Sequence, residues 1–377
     1  MSSENDFIIT DGVLKRYIGL SPDVTVPENV TAIGNSAFYW FSSLRSIRLP
    51  RGLKKIGNFA FYDCPGLEEI TLPPGLESIG EQAFWGCAAL KRVLLPDSVT
   101  EVGEEAFYGC RSLKSIELPG GLRTLPQNAF HGCAALTQLT WPEALTEIGE
   151  GVFTGCGFTD LTLPEGITKI HTGAFYGCEK LQTLTLPESL LLIGPSAFSG
   201  CVSLRAPVFP KQLLTIGANA FSGCVSLGEV ALPRALKKLG NHAFAGLTLR
   251  QLTLPKSDAL RELMSYLFSA FDRASVSRFN VPQEIADPRL FQQLAAKNCL
   301  LTCGGVLLKA LCCEGTVTVP QDIRGIAPQA FCRSGDIRHL CTSMFSRDFQ
   351  CHSGKRFNKR SPYSGAYQKR RRGCGLR

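Results

Sequence analysis

Cysteine is the residue type in this chain whose spacing could most readily support chemistry. A thiolate can bind zinc, form a disulfide or act as a nucleophile, and the 377 residues include 16 cysteines. Half of them recur at one position of a repeating pattern: Cys64, Cys87, Cys110, Cys133, Cys156, Cys178, Cys201 and Cys224. The same position holds Phe41 at the start of the pattern and Leu247 at its end. Because this position accepts Phe and Leu, we predict buried cysteines that behave as small hydrophobes.

Disulfides between neighbouring cysteines of this series are the alternative. Equivalent residues on adjacent strands lie about 5 Å apart, which is within disulfide reach. We favour reduced thiols, because side chains that stack in parallel rarely reach the torsion angle that a disulfide requires.

Histidine offers no second set of catalytic or metal-binding residues. The five histidines show neither metal-ligand nor catalytic-triad spacing: His131, His171, His242, His339 and His352. Gly-rich phosphate loops and the HExxH and G-x-S-x-G motifs are absent from the sequence. We therefore predict that the chain is not an enzyme and binds no cofactor.

The cysteines belong to a unit that recurs along most of the chain. Two copies are GLESIGEQAFWGCAALKRVLLP at 75–96 and SVTEVGEEAFYGCRSLKSIELP at 98–119. A fixed period of about 20–29 residues with regular Leu and Ile is typical of a leucine-rich solenoid. The sequence therefore predicts an α/β solenoid with one short parallel strand in each unit of 22–23 residues. Such a fold presents a long surface, which favours a binding protein over an enzyme.

Each position of the unit has a structural explanation. The segment 44–50 has the alternation of a short strand and ends at Pro50, which cannot continue a ladder of hydrogen bonds. A glycine in the next stretch, such as Gly57, lets the chain turn. A phenylalanine follows at the same position of each of ten units. These side chains are predicted to stack through the core: Phe38, Phe61, Phe84, Phe107, Phe130, Phe153, Phe175, Phe198, Phe221 and Phe244.

The pattern I-G-x-x-A-F-x-G-C-x-x-L-x-x-[LIV]-x-L-P resembles the BspA-type leucine-rich repeat family of bacteria and some protists. The resemblance covers residues 7–255 and, less specifically, 300–340. It implies a curved, right-handed leucine-rich repeat horseshoe with a parallel strand from each unit. It also implies protein–protein recognition or adhesion, often at a cell surface, and it assigns no catalytic residues.

The array starts twice along the chain. The pattern of residues 7–38, with a hairpin expected at Asp11-Gly12, returns without a gap at 300–331. Between the arrays, apolar residues at helical spacing predict a helix over about 258–272, and Asp287-Pro288 resembles the start of a second helix. The predicted organisation is a cap hairpin (1–26), about ten repeats (27–255), a helical insert (256–298), a second cap-like start with a partial repeat (299–340) and a basic tail (341–377).

A second group of cysteines accompanies the second start: Cys299, Cys303, Cys312, Cys313, Cys332 and Cys341. Their spacing matches no known zinc finger, and a structural zinc site needs four ligands in a set geometry. The equivalent positions of the first start carry no such ligands. We therefore predict no metal site.

The basic residues are concentrated in the tail. Residues 341–377 contain ten Lys and Arg but one acid, Asp348, so the tail carries a charge of +9. Because the whole chain carries +8, residues 1–340 carry −1. The composition predicts disorder and is compatible with weak, non-specific binding of RNA or anionic membranes. A solvated appendage, or an array cut short by a reading-frame slip, explains the same composition.

Two series of residues are candidates for partner binding. Directly after the ladder phenylalanines come Tyr39, Tyr62, Trp85, Tyr108 and His131. These side chains either stack on one another as structural elements or form a partner surface enriched in Tyr and Trp. The outward strand positions form the second series, which is Thr-rich and mostly uncharged: Arg48, Thr71, Leu94, Glu117 and Thr140.

These observations favour a monomeric, non-enzymatic scaffold that recognises another protein. The alternative is a nucleic-acid- or membrane-associated protein in which the basic tail is the binding element. The N-terminal residues lack a basic region followed by an apolar stretch, and the sequence has no run of about 18 apolar residues. The expected location is therefore the cytoplasm, unless export follows a non-classical route.

Overall fold

The computed structural model describes residues 4–256 and 260–282, and beyond them residues 291, 295–303, 306–311, 315–317, 320, 322–327 and 337–339. Over these residues the chain forms a solenoid of short parallel strands with little helix. The solenoid predicted from the repeat is therefore confirmed. The basic tail lies outside the described residues, as do Asp287-Pro288 and the side chains of all the C-terminal cysteines except Cys299.

A strand of three residues comes first in each turn, where the sequence predicts it. Six such strands form one parallel sheet in register: Asp23–Thr25, Ser46–Arg48, Glu69–Thr71, Arg92–Leu94, Ser115–Glu117 and Gln138–Thr140. Asp160–Thr162 pairs with Thr183–Thr185, and Glu229–Ala231 pairs with Gln251–Thr253. Residues 206–208 form no strand, and Pro207 at this position has no N–H to donate to a ladder.

A second strand of two residues follows in each turn, so one strand per unit was an incomplete prediction. These strands form two further parallel sheets: Ala32–Ile33, Lys55–Ile56, Ser78–Ile79, Glu101–Val102, Thr124–Leu125, Glu147–Ile148, Lys169–Ile170, Leu192–Ile193, Thr215–Ile216 and Lys238–Leu239. Two residues are too few to show a period-two alternation, which is why the sequence pattern does not reveal them.

The ladder of phenylalanines forms the core, as predicted. All ten rings are at least 98% buried, and consecutive rings stack with centroids 5.0–5.6 Å apart. Tyr17 stacks on Phe38 at the N-terminal end, and Phe271 stacks on Phe244 at the other end, 4.9 Å away. Burial of these rings against their neighbours ties each turn to the next.

Each of the two segments that resemble the start of an array begins with an antiparallel hairpin. Phe7–Thr10 pairs with Val13–Tyr17 through Asp11 and Gly12, whose φ angles of 50° and 71° form the tight turn expected there. Ala295–Cys303 pairs in the same manner with Val306–Leu311. In both cases the second strand of the hairpin also pairs in parallel with a later strand, Ala32–Ile33 in the first and Gly325–Ile326 in the second. Gly315–Val317 pairs in parallel with Ile337–His339.

The segment expected to be a helical insert contains a helix and a strand. The helix is Leu260–Ala270, close to the predicted bounds, and the strand Ser275–Asn280 pairs in parallel with Gln251–Thr253 and Thr248–Leu249. Ala270 and Phe271 occupy the Ala-Phe positions of a further turn, since Phe244 N donates a hydrogen bond to Ala270 O at 2.8 Å. The pattern of the repeat therefore continues past residue 255.

The described residues form two compact units. One contains Met1–Gly228, Pro233–Leu247 and Asp258–Asp272, and the other contains Glu229–Leu232, Thr248–Ser257 and the residues from Arg273 onward. Within the described residues, no helix has the length and apolar character needed to cross a membrane.

Candidate recognition surfaces

The three-residue strands present two columns of side chains to solvent. In Ser46–Arg48, Glu69–Thr71 and Arg92–Leu94 the middle residue is buried and its two neighbours are exposed. Parallel pairing places the third residues of consecutive strands next to each other, for example Arg48 beside Thr71 and Leu94 beside Glu117. The structure thus brings together the five predicted strand residues, Arg48, Thr71, Leu94, Glu117 and Thr140, in one exposed column.

A parallel column on the same face was missed by the sequence analysis. The first residues of the same strands lie on this face as well: Asp23, Ser46, Glu69, Arg92 and Gln138 are exposed, and Ser115 is half-buried. Ser46 Oγ donates a hydrogen bond to Asp23 Oδ1 at 2.6 Å, which links two turns along this column. The period-two alternation could have identified these residues, because both neighbours of a buried strand residue point to the same side. We call the two columns together the strand face.

The second predicted series forms a continuous stack of rings. Centroid distances are 4.9 Å from Tyr39 to Tyr62, 4.6 Å from Tyr62 to Trp85, 5.5 Å from Trp85 to Tyr108 and 4.4 Å from Tyr108 to His131, with the rings within 17° of parallel. Burial raises the pKa of Tyr62 and lowers the pKa of His131. The low pKa favours a neutral imidazole at His131, which suits a stacked position.

Trp40 extends this stack and was missed by the sequence analysis. Its ring lies 5.6 Å from Tyr39 at 13°, and 64% of the residue is exposed. Its backbone is left-handed, with a φ of 57°, at a position where eight later units have glycine. A bulky residue in this conformation costs about 1–2 kcal/mol. We call the six rings of Trp40, Tyr39, Tyr62, Trp85, Tyr108 and His131 the aromatic stack.

The two surfaces are separate within each turn. In the first unit the buried Leu44 lies between Tyr39 of the aromatic stack and Arg48 of the strand face. In the second unit Leu67 is buried between Tyr62 and Thr71 in the same way. The predicted partner-binding residues therefore belong to two surfaces.

Ion pairs connect neighbouring turns at the solvent-exposed edges of the strands. Lys91 Nζ lies 2.6 Å from Glu68 Oε2, and this contact lowers the pKa of Glu68. Glu147 accepts from Lys169 and contacts His171, both at 2.8 Å, and these hydrogen bonds lower its pKa. Exposed pairs of this kind contribute little free energy, at most about 1 kcal/mol each.

The cysteine series is buried, as predicted. All eight thiols are free, and each donates to a phenylalanine carbonyl oxygen in the preceding turn, such as Cys64 Sγ to Phe38 O at 3.1 Å. Burial raises the pKa of Cys64 to about 12. A thiol with so high a pKa is rarely present as the nucleophilic thiolate at neutral pH.

The glycine before each Ala-Phe pair has a different role from the one predicted. Gly34, Gly57 and their equivalents do not adopt the left-handed conformation. Instead the neighbouring turn packs against them, and a Cβ atom on Gly57 would lie 2.8 Å from the backbone nitrogen of Asn35. Close approach of two backbones, and not a turn, explains why glycine stands here.

The repeat unit matches a known family of leucine-rich repeats. The model of the BspA type leucine-rich repeat region matches the chain in six copies over residues 18–137 and 146–275. The chain belongs to this family. Within the described residues, no three His, Cys, Asp or Glu side chains are grouped so that they could hold a metal ion.

Solved structures of leucine-rich repeat proteins resemble the chain at low identity. A leucine-rich cell surface protein from Faecalibacterium prausnitzii A2-165 is 22% identical, with a TM-score of 0.48, over 78% of this chain and 97% of that one. The leucine-rich repeat protein of T. pallidum is 29% identical, with a TM-score of 0.42, over 54% and 90% of the two chains. The pneumococcal vaccine antigen PcpA is 19% identical, with a TM-score of 0.36, over 74% and 88%. No curated protein shows significant similarity to the chain.

Proposed function

We propose that this member of the BspA-type family is a recognition scaffold that binds another protein through the strand face and the aromatic stack. The strand face carries the proposal. Its exposed side chains form two columns in register over the six strands from Asp23–Thr25 to Gln138–Thr140. A regular open surface of this extent can contact a partner over many turns, which is how solenoid proteins recognise their ligands.

The chemistry of the strand face indicates the type of partner surface. The column from Arg48 to Thr140 combines one cation, one anion, two threonines and Leu94, which is 56% exposed. Short, mostly neutral side chains of this kind suit a broad protein surface or an extended strand. They offer no cluster of cations for a phosphate group.

The basic tail supports the alternative function, binding of RNA or anionic lipid. Ten Lys and Arg within residues 341–377 attract polyanions through charge alone, with an affinity that falls steeply as salt rises. The rest of the chain is nearly neutral, so this activity would belong to the tail. We rank it second, because attraction through charge alone confers little specificity.

Capture of a partner by the full-length chain tests the proposal. Leu94→Glu places a charge at the centre of the strand face and should weaken capture of the partner at least about tenfold, since apolar contacts at the centre of an interface carry most of its energy. Val225→Glu is the matched control, because Val225 is 65% exposed but lies in a turn outside the strand face. Equal capture by both variants and the unmodified chain would show that the strand face is not the binding surface.

A further inference from the structure

Leucines and lysines of three neighbouring turns face solvent at the strands of two residues. The first residues of these strands form one column, because the strands pair in parallel: Leu192–Ile193, Thr215–Ile216 and Lys238–Leu239. The residues before the strands form a second column, since Leu214 N donates to Leu191 O and Lys237 N donates to Leu214 O, both at 2.9 Å. We call five of these side chains the leucine–lysine patch: Leu191, Leu192, Leu214, Lys237 and Lys238.

The leucines of the patch are accessible to solvent. Leu191 is 36% exposed, and Leu192 and Leu214 are half-buried. The seven preceding turns have Thr, Lys, Glu or Arg at the position of Leu191, so this column is polar until the patch begins. Accessible apolar side chains that are grouped together and bordered by polar residues are typical of a surface that binds a partner.

The lysines of the patch are not neutralised by acids on the neighbouring turns. The second turn of the array has the same Lys-Lys pair, but there Lys54 Nζ lies 2.9 Å from Glu77 Oε1 of the next turn. Lys237 and Lys238 are exposed and form no ion pair with any side chain that the structure describes. Two neighbouring segments together contain four cations and no acid: 210–217 and 233–240. The patch therefore combines apolar surface with uncompensated positive charge.

We propose that the leucine–lysine patch binds an acidic segment of a partner protein, one in which carboxylates stand beside apolar side chains. Equivalent residues of adjacent turns lie about 5 Å apart, so Lys237 is about 5 Å from Leu214 and about 10 Å from Leu191 along the column. A short segment can span these distances, cover the leucines with its apolar side chains and place its carboxylates on the lysines. Complementary charge of this kind also favours an acidic partner over others.

Charge and burial disfavour the other occupants of the patch. The tail of this chain, residues 341–377, has ten Lys and Arg against one acid, so it is repelled by the lysines. A membrane is bound through apolar side chains that reach about 5–10 Å into it, whereas Leu192 and Leu214 are half-buried among their neighbours. The patch is also separate from the strand face and the aromatic stack, so the inference goes beyond the proposed function.

Binding of a defined peptide to the full-length chain tests this inference. The probe is a fluorescent peptide that contains leucine and glutamate with glycine spacers. Two matched peptides replace its glutamates by glutamine or its leucines by serine. We expect the Leu-Glu peptide to bind more tightly than both, because it alone offers both contacts, and its binding should weaken as salt is raised. The serine peptide keeps the charge, so it measures attraction through charge alone, including attraction by the basic tail.

A matched pair of double variants separates the patch from general attraction. Lys237→Gln with Lys238→Gln should weaken binding of the Leu-Glu peptide about fivefold. Lys54→Gln with Lys55→Gln is the control, because it removes the same charge from the same two columns at a place without leucines. Binding by this control should stay close to that of the unmodified chain.

The leucines are tested in the same way. Leu191→Thr with Leu214→Thr should weaken binding of the Leu-Glu peptide about tenfold through lost apolar contact. The preceding turn has Thr168 at this position, so the variant is expected to fold, and circular dichroism checks this. Val225→Thr is the control, since Val225 is 65% exposed but lies outside both columns, and it should bind the peptide normally.

Four results would overturn the inference: no binding of the Leu-Glu peptide, equal binding of either matched peptide, equal loss in the two lysine variants, or unchanged binding after substitution of the leucines. Two further results assign the patch to another occupant and overturn it as well. Binding of anionic vesicles through the same lysines and leucines indicates a membrane, and self-association lost in the same variants indicates a second copy of the chain. Leu94→Glu should leave peptide binding unchanged, so the strand face and the leucine–lysine patch fail separately.

Discussion

The thiol of Cys110 donates a hydrogen bond to the carbonyl oxygen of Phe84, 3.3 Å away and 26 residues earlier in the chain. The same relationship recurs for the other seven cysteines of the series, so each thiol connects its own turn to the preceding one. The thiol is a buried donor to a carbonyl oxygen that also accepts a backbone hydrogen bond, as Phe84 O does from Cys87 N at 3.2 Å.

The buried thiols should resist modification in the native state. Burial raises the pKa of Cys110 and raises that of Cys133 to about 12, so the reactive thiolate is scarce near neutral pH. Labelling with a thiol reagent, read by mass spectrometry, should be slow for all eight cysteines until denaturant is added. Rapid labelling of Cys110 or Cys133 in the folded chain would contradict their assignment to the core.

The loss of stability on truncating a phenylalanine of the ladder should depend on its position in the array. Phe107→Ala removes a fully buried ring between two neighbours and should lower the free energy of unfolding by about 3–5 kcal/mol. Phe38→Ala, next to the cap, should unfold the first turns alone, because solenoid stability is largely a nearest-neighbour property. Hydrogen exchange resolved by segment measures both. Equal loss of protection along the whole chain in the two variants would contradict this description.

Substitution by alanine should destabilise the chain to different extents at two glycines of the array. A Cβ on Gly57 would meet the backbone of the preceding turn at 2.8 Å, whereas a Cβ on Gly109 has its nearest neighbour at 3.8 Å. Gly109→Ala should cost about 1 kcal/mol through its φ of 71°. Gly57→Ala should cost more, because two backbones must separate. Chemical denaturation of both variants checks the order, and a smaller loss for Gly57→Ala would show that the turns can separate easily.

The ion pairs of Glu147 should make a pH-dependent contribution to stability. Hydrogen bonds from Lys169 and His171 lower the pKa of this carboxyl, so its contribution is present above the unfolded-state pKa of about 4.3 and is lost as the pH falls through the lower folded-state pKa. Glu147→Gln should therefore destabilise the chain at neutral pH, by less than about 1 kcal/mol. Denaturation at several pH values should show this difference closing in acid. A difference that persists at pH 2 would exclude the ion pairs as its cause.

Much of the fold follows from the period of the sequence. Residues that recur every 22 or 23 positions must stack on their own equivalents, so Phe107 and Cys110 could be placed in the core without a structure. The same logic could not find the strand Lys55–Ile56, which is too short to show alternation, or the close backbone contact at Gly57. Both depend on how neighbouring turns approach each other, which the period alone does not specify.

The candidate surfaces were only partly predictable. The exposed column from Arg48 to Thr140 and the stacking of Tyr39 on Tyr62 follow from position in the unit. Trp40 was missed, because its exposed ring and left-handed backbone, at a position where eight later units have glycine, do not follow from the repeat. A departure from the repeat, and not the repeat itself, was the signal that could have identified it.

Partner capture by a chain that ends at residue 340 tests the central claim most directly, because it separates the solenoid from the basic tail. If the solenoid surface is the binding element, the shortened chain should capture the same partner with unchanged affinity and a shallow dependence on salt, while binding of RNA or anionic vesicles disappears. Loss of the partner on truncation, or RNA binding retained without the tail, would contradict the account.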